Sequence, residues 1–216
     1  MQYLQTYLSR IIERGNVKLA ESILQTADDI GERQLKNFSF TTHEIGLLFG
    51  NVQSGKTGQM FGIMCKAADL GFPAFVLLTT DNVVLQQQTL ARVHADLDGF
   101  CICGENDVQL FMDNSLIQPV IVVLKKNARV LKLWSNVLAS SEFMKGNPLF
   151  VVDDEADAAS LNTLVNRQRQ SSINKYLDAI KNETSSSLYL QVTGTPPGDP
   201  SSDGCFRMAS VFCRLF

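Results

Sequence analysis

The chain has 216 residues, of which 45% are hydrophobic and 19% are charged, and its formal net charge is −3. This length and composition are typical of one large α/β domain, and they exclude a disordered chain. The negative charge argues against a free-standing nucleic-acid-binding protein, whose nonspecific affinity comes from Lys and Arg, and no apolar run reaches the ~18 residues of a membrane span.

Two amphipathic helices are predicted at the start of the chain, over residues 2–14 and about 17–35. Apolar residues recur there mostly at three- and four-residue spacings, which is the period of a helix with one buried face: Leu4, Leu8, Ile11, Ile12, Leu19, Ile23, Leu24 and Ile30. We expect these helices to form a short appendage over residues 1–40 that packs on the following domain, with docking to a partner as the alternative.

From about residue 44, short apolar runs alternate with helical stretches. The runs begin near residues 44, 73, 119, 148 and 187, and helices are predicted to residue 70, over 82–97, and near 128–144 and 170–182. Continuous apolar strands between helices indicate a mostly parallel sheet that is covered on both faces. The predicted fold is therefore an α/β domain over residues 41–216.

The first chemical motif is GNVQSGKT at residues 50–57, which matches GxxxxGK[ST] between a predicted strand and helix. Its backbone N–H groups and the helix dipole would hold phosphates, Lys56 would contact the β and γ phosphates, and Thr57 would bind Mg²⁺. The predicted nucleotide-binding residues are Gly50, Asn51, Val52, Gln53, Ser54, Gly55, Lys56 and Thr57. A glycine-rich turn with an incidental lysine is the alternative that the strand–helix context disfavours.

The second motif follows the apolar run at 149–152, where the sequence continues Asp153-Asp154-Glu155-Ala156-Asp157. A carboxylate at the end of a strand beside the phosphate loop suits Mg²⁺, and the next carboxylate can orient a water. We therefore predict Asp154 as a metal ligand and Glu155 as the residue that orients the water, with Lys56 as the third catalytic residue. A solvated acidic turn is the alternative, and Asp153 stands where a strand favours an apolar residue, without a physical reason in the sequence.

The third motif is QVTGTPP at residues 191–197, again at the end of an apolar run. The hydroxyls of Thr193 and Thr195 could donate hydrogen bonds to the nearby carboxylates and relay the state of the nucleotide to a neighbouring domain. We predict this coupling role for Asp157, Thr193 and Thr195. A simple turn is the alternative, because Gly and Pro favour turns in any context.

The order of these motifs resembles motifs I, II and III of superfamily-two helicases and translocases, and residues 154–157 read DEAD. Within that superfamily the chain is most similar to the Z-one domain, a DEAD-like ATPase module of restriction-endonuclease-associated and other bacterial defence proteins. The resemblance covers about residues 44–200 and includes TTDNVVLQQQT at 79–89, VVLKKNARVLKL at 122–133, VVDDEADAASLNT at 151–163 and VTGTPP at 192–197. It implies a RecA-like P-loop fold, ATP and Mg²⁺, and a possible nuclease domain or subunit as partner.

The doubled aspartate at 153–154 is usual in that group, but the chain departs from the family pattern in two places. Gly194 stands where alanine is commoner. The apolar continuation after the third motif is replaced by PGDPSSDG at 197–204. These departures concern the coupling role of Thr193 and Thr195 and leave nucleotide binding untouched.

The resemblance also implies that Thr79 and Thr80 face a nucleic-acid strand, and hydroxyls beside a helix N-terminus are suitable phosphate ligands. An ordinary capping turn that uses Asp81 and Asn82 is the alternative. Basic residues are densest at Lys125 and Lys126, followed by Arg129 and Lys132. We predict DNA contact for Lys125 and Lys126, with a solvated helix face as the competing interpretation.

Superfamily-two motors use a second RecA-like domain that supplies arginines to the γ-phosphate. Only nineteen residues follow Pro197, and Arg207 and Arg214 are poor candidates for that role. We therefore expect the first motor domain of a DNA translocase or helicase-like protein of a restriction or defence system, with weak or no turnover in isolation. A nucleotide-dependent switch or interaction module is the alternative, and the DEAD and TGTPP motifs argue against a small-molecule kinase.

Five cysteines lack a CxxC pair or a His cluster, so the sequence predicts reduced thiols and neither disulfides nor a zinc site. The first fifteen residues include Arg10, Glu13 and Arg14 and lack the pattern of a secretory signal. We expect a cytoplasmic protein with no membrane partner.

Overall fold

The computed structural model of the chain describes residues 2–49, 55–141, 146–154, 172–180, 184–193 and 213–215. Helices in this part are α1 (Tyr3–Glu13), α2 (Val17–Arg33), α3 (Lys56–Asp69), α4 (Val83–Asp96), α5 (Val108–Asn114) and α6 (Ala128–Ser140), with a 3-10 turn at Leu35–Asn37 and helical residues at 172–180. Strands are β1 (His43–Phe49), β2 (Ala74–Thr79), β3 (Cys101–Cys103), β4 (Val120–Lys125), β5 (Pro148–Asp154), β6 (Ser186–Thr193) and β7 (Cys213–Leu215).

All seven strands form one sheet in the order β3-β4-β2-β5-β6-β1-β7. The first six strands run parallel, and β7 pairs antiparallel with β1 at one edge. The mostly parallel α/β sheet predicted from the sequence is confirmed. The pattern missed β3, α5 and β7, because a three-residue strand or a two-turn helix is too short to show a period.

Each face of the sheet packs against its own layer of helices. Phe150 and Val152 of β5 belong to the core that includes residues of α1, α2, α3 and α4. Leu149 and Val151 of the same strand belong to the core with α5, α6 and the helical residues 172–180. Successive residues of a strand point to opposite faces of the sheet. The face toward which each remaining residue of β5 points therefore follows from its position in this alternation.

The N-terminal helices pack directly on α3. Ile23 of α2 is fully buried and lies so close to Gly58 and Gly62 of α3 that a Cβ built on Gly62 would be 2.3 Å from the Ile23 Cγ2. Asp69 at the end of α3 accepts hydrogen bonds from the backbone N–H groups of Tyr3 (2.7 Å) and Leu4 (3.1 Å) at the start of α1. The first two helices therefore brace α3, while a domain boundary near residue 40 stays a prediction.

The far end of α1 is tied to α4. Arg14 pairs with Asp96 at 2.5 Å, and Arg10 pairs with Asp98 and donates to the carbonyl of Ala95. Burial raises the pKa of the Tyr7 hydroxyl, which donates to the carbonyl of Gly58 at 3.4 Å. No helix in the described ranges is both long and apolar enough to span a membrane.

Candidate nucleotide-binding site

The start of α3 has the backbone geometry that a phosphate site needs. Gly55 is the N-cap residue, with a left-handed φ of 69°, which glycine adopts without strain. Lys56 and Thr57 are the first two helical residues, and the first turn of α3 has no acidic side chain. The positive end of the helix dipole is therefore available to an anion. The remaining predicted loop residues, Gly50, Asn51, Val52, Gln53 and Ser54, lie outside the described residues.

Thr57 and Asp154 line one cleft of about 500 Å³ at the carboxyl edge of the sheet. The other lining residues come from the end of β2 and from α4: Thr79, Thr80, Leu85, Gln88, Thr89, Ala91 and Arg92. Parallel strands end at the same edge of a sheet, which is why residues far apart in sequence meet here. The structure thus brings together the two residues that the sequence predicts as metal ligands.

A hydroxyl and a carboxylate are the ligand types that Mg²⁺ accepts beside substrate phosphates and water. Within the described ranges, no group of three or more His, Cys, Asp or Glu residues could hold a metal by itself. Thr57 and Asp154 supply these two ligand types in one cleft, which fits Mg²⁺ carried with a nucleotide. The residues that would hold it are Thr57 and Asp154.

The two aspartates at the end of β5 have different surroundings. Asp154 follows the alternation of Phe150 and Val152 and points toward the α3 side, where the cleft lies. Asp153 follows Val151 and points into the opposite layer, where it is only 5% exposed. One strand therefore presents one carboxylate to the cleft and buries the other beneath it.

Buried Asp153 has two partners. Lys126 Nζ lies 2.8 Å from Asp153 Oδ1, and the Tyr189 hydroxyl on β6 donates to Asp153 Oδ2 at 2.5 Å. Burial, together with the charge on Asp153, raises the pKa of Tyr189. A buried carboxylate needs such pairing, since an isolated charge is costly in an apolar layer. This network supplies the physical reason for Asp153 that the sequence lacks.

The hydroxyls of the two threonines at the end of β2 also have different surroundings. Thr79 is 3% exposed, and its Oγ1 lies within hydrogen-bonding distance of the carbonyls of Thr80 (3.2 Å) and Leu124 (3.4 Å). Thr80 Oγ1 is buried at the cleft and has no hydrogen-bond partner in the part of the chain that the structure describes. Of the two threonines predicted to contact nucleic acid, Thr80 is therefore the one with a hydroxyl available to a ligand.

The predicted basic cluster is divided by the fold. Lys125 Nζ lies 3.4 Å from Glu105 Oε2, and both side chains are less than one-fifth exposed, while Lys126 pairs with Asp153. Arg129 and Lys132 lie on the exposed side of α6. The described side-chain contacts of Lys125 and Lys126 are thus with groups of the protein itself, and DNA contact by these two residues stays a prediction.

Arg92 was missed by the sequence analysis. Its Nη1 donates to Thr57 Oγ1 at 3.4 Å, so a guanidinium lies next to a predicted metal ligand. Leu85, Gln88 and Arg92 all line the cleft, at helical spacing along α4. A helix that begins where a parallel strand ends turns one face toward the carboxyl edge, and that spacing was the signal available in the sequence.

The third motif lies beside the acidic strand. Thr193 ends β6 and is 6% exposed, one position beyond Val192, which pairs with Asp154 in the sheet register. Glu155, Asp157 and Thr195 lie outside the described residues, so the roles predicted for them stay predictions.

No protein-family profile and no curated protein matches the chain. Among solved structures, the chain is similar in fold to the Pyrococcus furiosus Hef helicase domain, with a TM-score of 0.46 and 15% identity over 81% of this chain and 33% of that chain. It is also similar to the Sulfolobus solfataricus SWI2/SNF2 ATPase core solved in complex with dsDNA, with a TM-score of 0.41 and 15% identity over 83% of this chain and 31% of that chain. The chain spans about a third of the length of each, and likeness of fold at this identity does not establish an activity.

Proposed function

We propose that this chain is the ATP-binding and ATP-hydrolysing domain of a helicase-like motor. The observation that carries the proposal is that Thr57, at the first turn of α3, and Asp154, at the end of β5, line the same cleft. Gly55 begins that turn with a left-handed backbone, and the orphan hydroxyl of Thr80 faces the same space. An anion-binding helix end beside a carboxylate is the arrangement that a nucleotide phosphate chain with Mg²⁺ requires.

Each residue has a distinct part in the proposed reaction. The N–H groups of the first turn of α3 and the ammonium of Lys56 bind phosphate oxygens, and Thr57 and Asp154 hold the cation. Mg²⁺, when bound, neutralises charge on the phosphates. Glu155 orients the attacking water, and Arg92 adds positive charge beside Thr57.

The finer proposal is that the motor moves on DNA within a restriction or defence system. Its support is the similarity of the sequence motifs to the Z-one domain, together with the available hydroxyl of Thr80 at the end of β2. Under this proposal a second motor domain completes the site, and a nuclease domain or subunit acts with it. Asp157, Thr193 and Thr195 couple the nucleotide state to that second domain.

Calorimetric titration with a non-hydrolysable ATP analogue and Mg²⁺ tests the nucleotide site. We expect saturable binding that is selective against a GTP analogue and is lost in Lys56→Ala, since the ammonium is the main charge on the phosphates. Lys18→Ala, which removes a lysine of the N-terminal helices, is the matched control and should bind like the parent. A Lys56→Ala variant that binds as tightly as the parent would refute the phosphate site.

A nucleotide-dependent switch is the second candidate, and a surface feature favours it. Val83, Val84 and Leu85 at the start of α4 are 51%, 60% and 42% exposed, and Leu85 also lines the cleft. Three neighbouring apolar side chains at the rim of a ligand cleft are suited to a protein partner. Double-stranded DNA separates the candidates, because it should stimulate the ATPase of a DNA motor and leave that of a switch unchanged.

A further inference from the structure

We propose that Lys126 is a positioning residue that holds Asp154 in place for the cation. The inference rests on the proposed function, since it takes Asp154 as the carboxylate that binds Mg²⁺. It assigns Lys126 an internal role in place of the DNA contact predicted from the cluster of basic residues.

Lys126 connects three strand ends. It follows β4, its backbone N–H donates to the carbonyl of Thr79 at the end of β2 (2.9 Å), and its Nζ lies 2.8 Å from Asp153 Oδ1 and 2.9 Å from the carbonyl oxygen of Asp154. Only 14% of the lysine side chain is exposed. The ammonium therefore contacts the end of β5, while the backbone of the same residue contacts the end of β2.

The register of the sheet explains why Asp154 needs this contact. Pairing between β2 and β5 ends at Leu78 and Asp153, whereas pairing between β5 and β6 continues to Asp154 and Val192. On its β2 side, the last residue of β5 lies beyond the strand pairing. The Lys126 ammonium donates to the Asp154 carbonyl there, so Asp154 is held by β6 and by Lys126.

Asp153 anchors the ammonium. Tyr189 fixes one carboxylate oxygen of Asp153 from β6, and Lys126 binds the other. Because Asp153 and Asp154 point to opposite faces of β5, Lys126 neutralises the buried carboxylate without covering the face of Asp154 that lines the cleft. The network therefore places one negative charge at the cation position on a strand end held on both sides, which is how outer contacts tune a metal ligand.

Paired substitutions separate positioning from simple stability. Lys126→Met with Asp153→Asn removes both charges, so no unpaired charge is left buried. Lys126→Gln with Asp153→Asn is its partner, because Gln keeps an N–H donor that can reach toward the Asp154 carbonyl. Lys66→Met with Asp28→Asn is the matched control, since it removes another Lys–Asp pair at 2.8 Å, between α3 and α2.

The main measurement is the Mg²⁺ concentration that gives half-maximal binding of a fluorescent ATP analogue. Binding of the analogue without Mg²⁺ and the thermal unfolding midpoint are measured for the same variants. We expect the Met pair to raise that concentration about tenfold or more, with Mg²⁺-free binding unchanged. The Gln pair should raise it less, and the Lys66 control should match the parent in both binding measurements. If the Met pair does not fold, the Gln pair carries the test, with a rise of a few-fold expected.

The outcomes distinguish failure of the positioning role of Lys126 from failure of the proposed nucleotide site. A folded Met pair with the parental Mg²⁺ requirement, or a Gln pair that requires as much Mg²⁺ as the Met pair, would overturn the positioning role while leaving the nucleotide site intact. Where only the Gln pair folds, a parental Mg²⁺ requirement would overturn it. Equal losses of binding with and without Mg²⁺ would also overturn it, because they would indicate general damage to the site. No binding of the analogue by the parent would overturn the proposed function, and the positioning role with it.

Discussion

Replacing Gly62 with alanine tests the packing that braces the start of α3. Gly62 lies within α3, where exchanging glycine for alanine ordinarily stabilises a helix by ~1 kcal/mol. Here the new Cβ would lie 2.3 Å from Ile23 Cγ2, and Ile23 is fully buried. A β-branched side chain is stiff at χ1, so α2 itself has to move. Overpacking costs ~1–3 kcal/mol, and an approach of 2.3 Å belongs in the upper part of that range, ~2–3 kcal/mol. After the gain of ~1 kcal/mol from the helix, we expect a net loss of ~1–2 kcal/mol.

Gly31 in α2 supplies a control with the same chemical change. A Cβ at Gly31 would lie 2.5 Å from Lys66 Cε and 3.1 Å from Lys66 Cγ. These atoms belong to an unbranched side chain that can shift by changing rotamer, at the cost of at most its ion pair with Asp28. Gly31→Ala should therefore be neutral or stabilise by up to ~1 kcal/mol. At ~2–4 °C per kcal/mol for a chain of this size, the two variants should differ in unfolding midpoint by several degrees.

Thermal unfolding followed by circular dichroism measures both variants, and a double-mutant cycle with Ile23→Leu isolates the contact. Leucine lacks the Cγ2 methyl, so Gly62→Ala should cost much less in the leucine background than in the parent. Equal stability of Gly62→Ala and the parent, or an equal loss for Gly31→Ala, would show that the close packing of α2 on α3 is not as described.

Three further predictions concern the cleft, its rim and the thiols. Arg92→Gln should weaken binding of the ATP analogue about fivefold, because Arg92 lies beside Thr57 and one exposed charge-assisted contact is worth ~1 kcal/mol. Arg33→Gln is the control. Equal affinity of the two variants in calorimetry would exclude Arg92 from the site. Asn82→Ala should lower the free energy of unfolding by ~1 kcal/mol, as measured in urea, because its Oδ1 accepts from the N–H groups of Val84 and Leu85 that cap α4. Burial raises the pKa of the thiols of Cys65, Cys101 and Cys103. A variant with Cys205→Ser and Cys213→Ser retains only these three thiols, and it should react with a thiol reagent at pH 8 only after unfolding. Rapid reaction of the native variant would contradict their burial.

Much of the architecture was predictable because its signals are local. The apolar runs and helical periods predicted β1, β2, β4, β5 and β6 and the helices between them, and the strands run parallel as expected. The start of α3 at Lys56 and the position of Asp154 at a strand end follow from the same local reading. Since parallel strands end at one edge of a sheet, the meeting of Thr57 and Asp154 in one cleft could be anticipated as well.

The hydrogen-bond and ion-pair partners of the buried polar groups could not be predicted from local sequence patterns. A strand period shows which face a side chain takes, but only the order β4-β2-β5-β6 decides which strand lies next to it. That order brings Lys126 and Tyr189 to Asp153, and the position of α4 along the cleft brings Arg92 to Thr57. The sequence by itself determined the sheet, the helix that begins at Lys56 and the acidic strand end, whereas tertiary structure alone decided which groups each buried charge contacts. The physical reason is that burial makes pairing obligatory for a charge, and the available partner is set by neighbours distant in the chain.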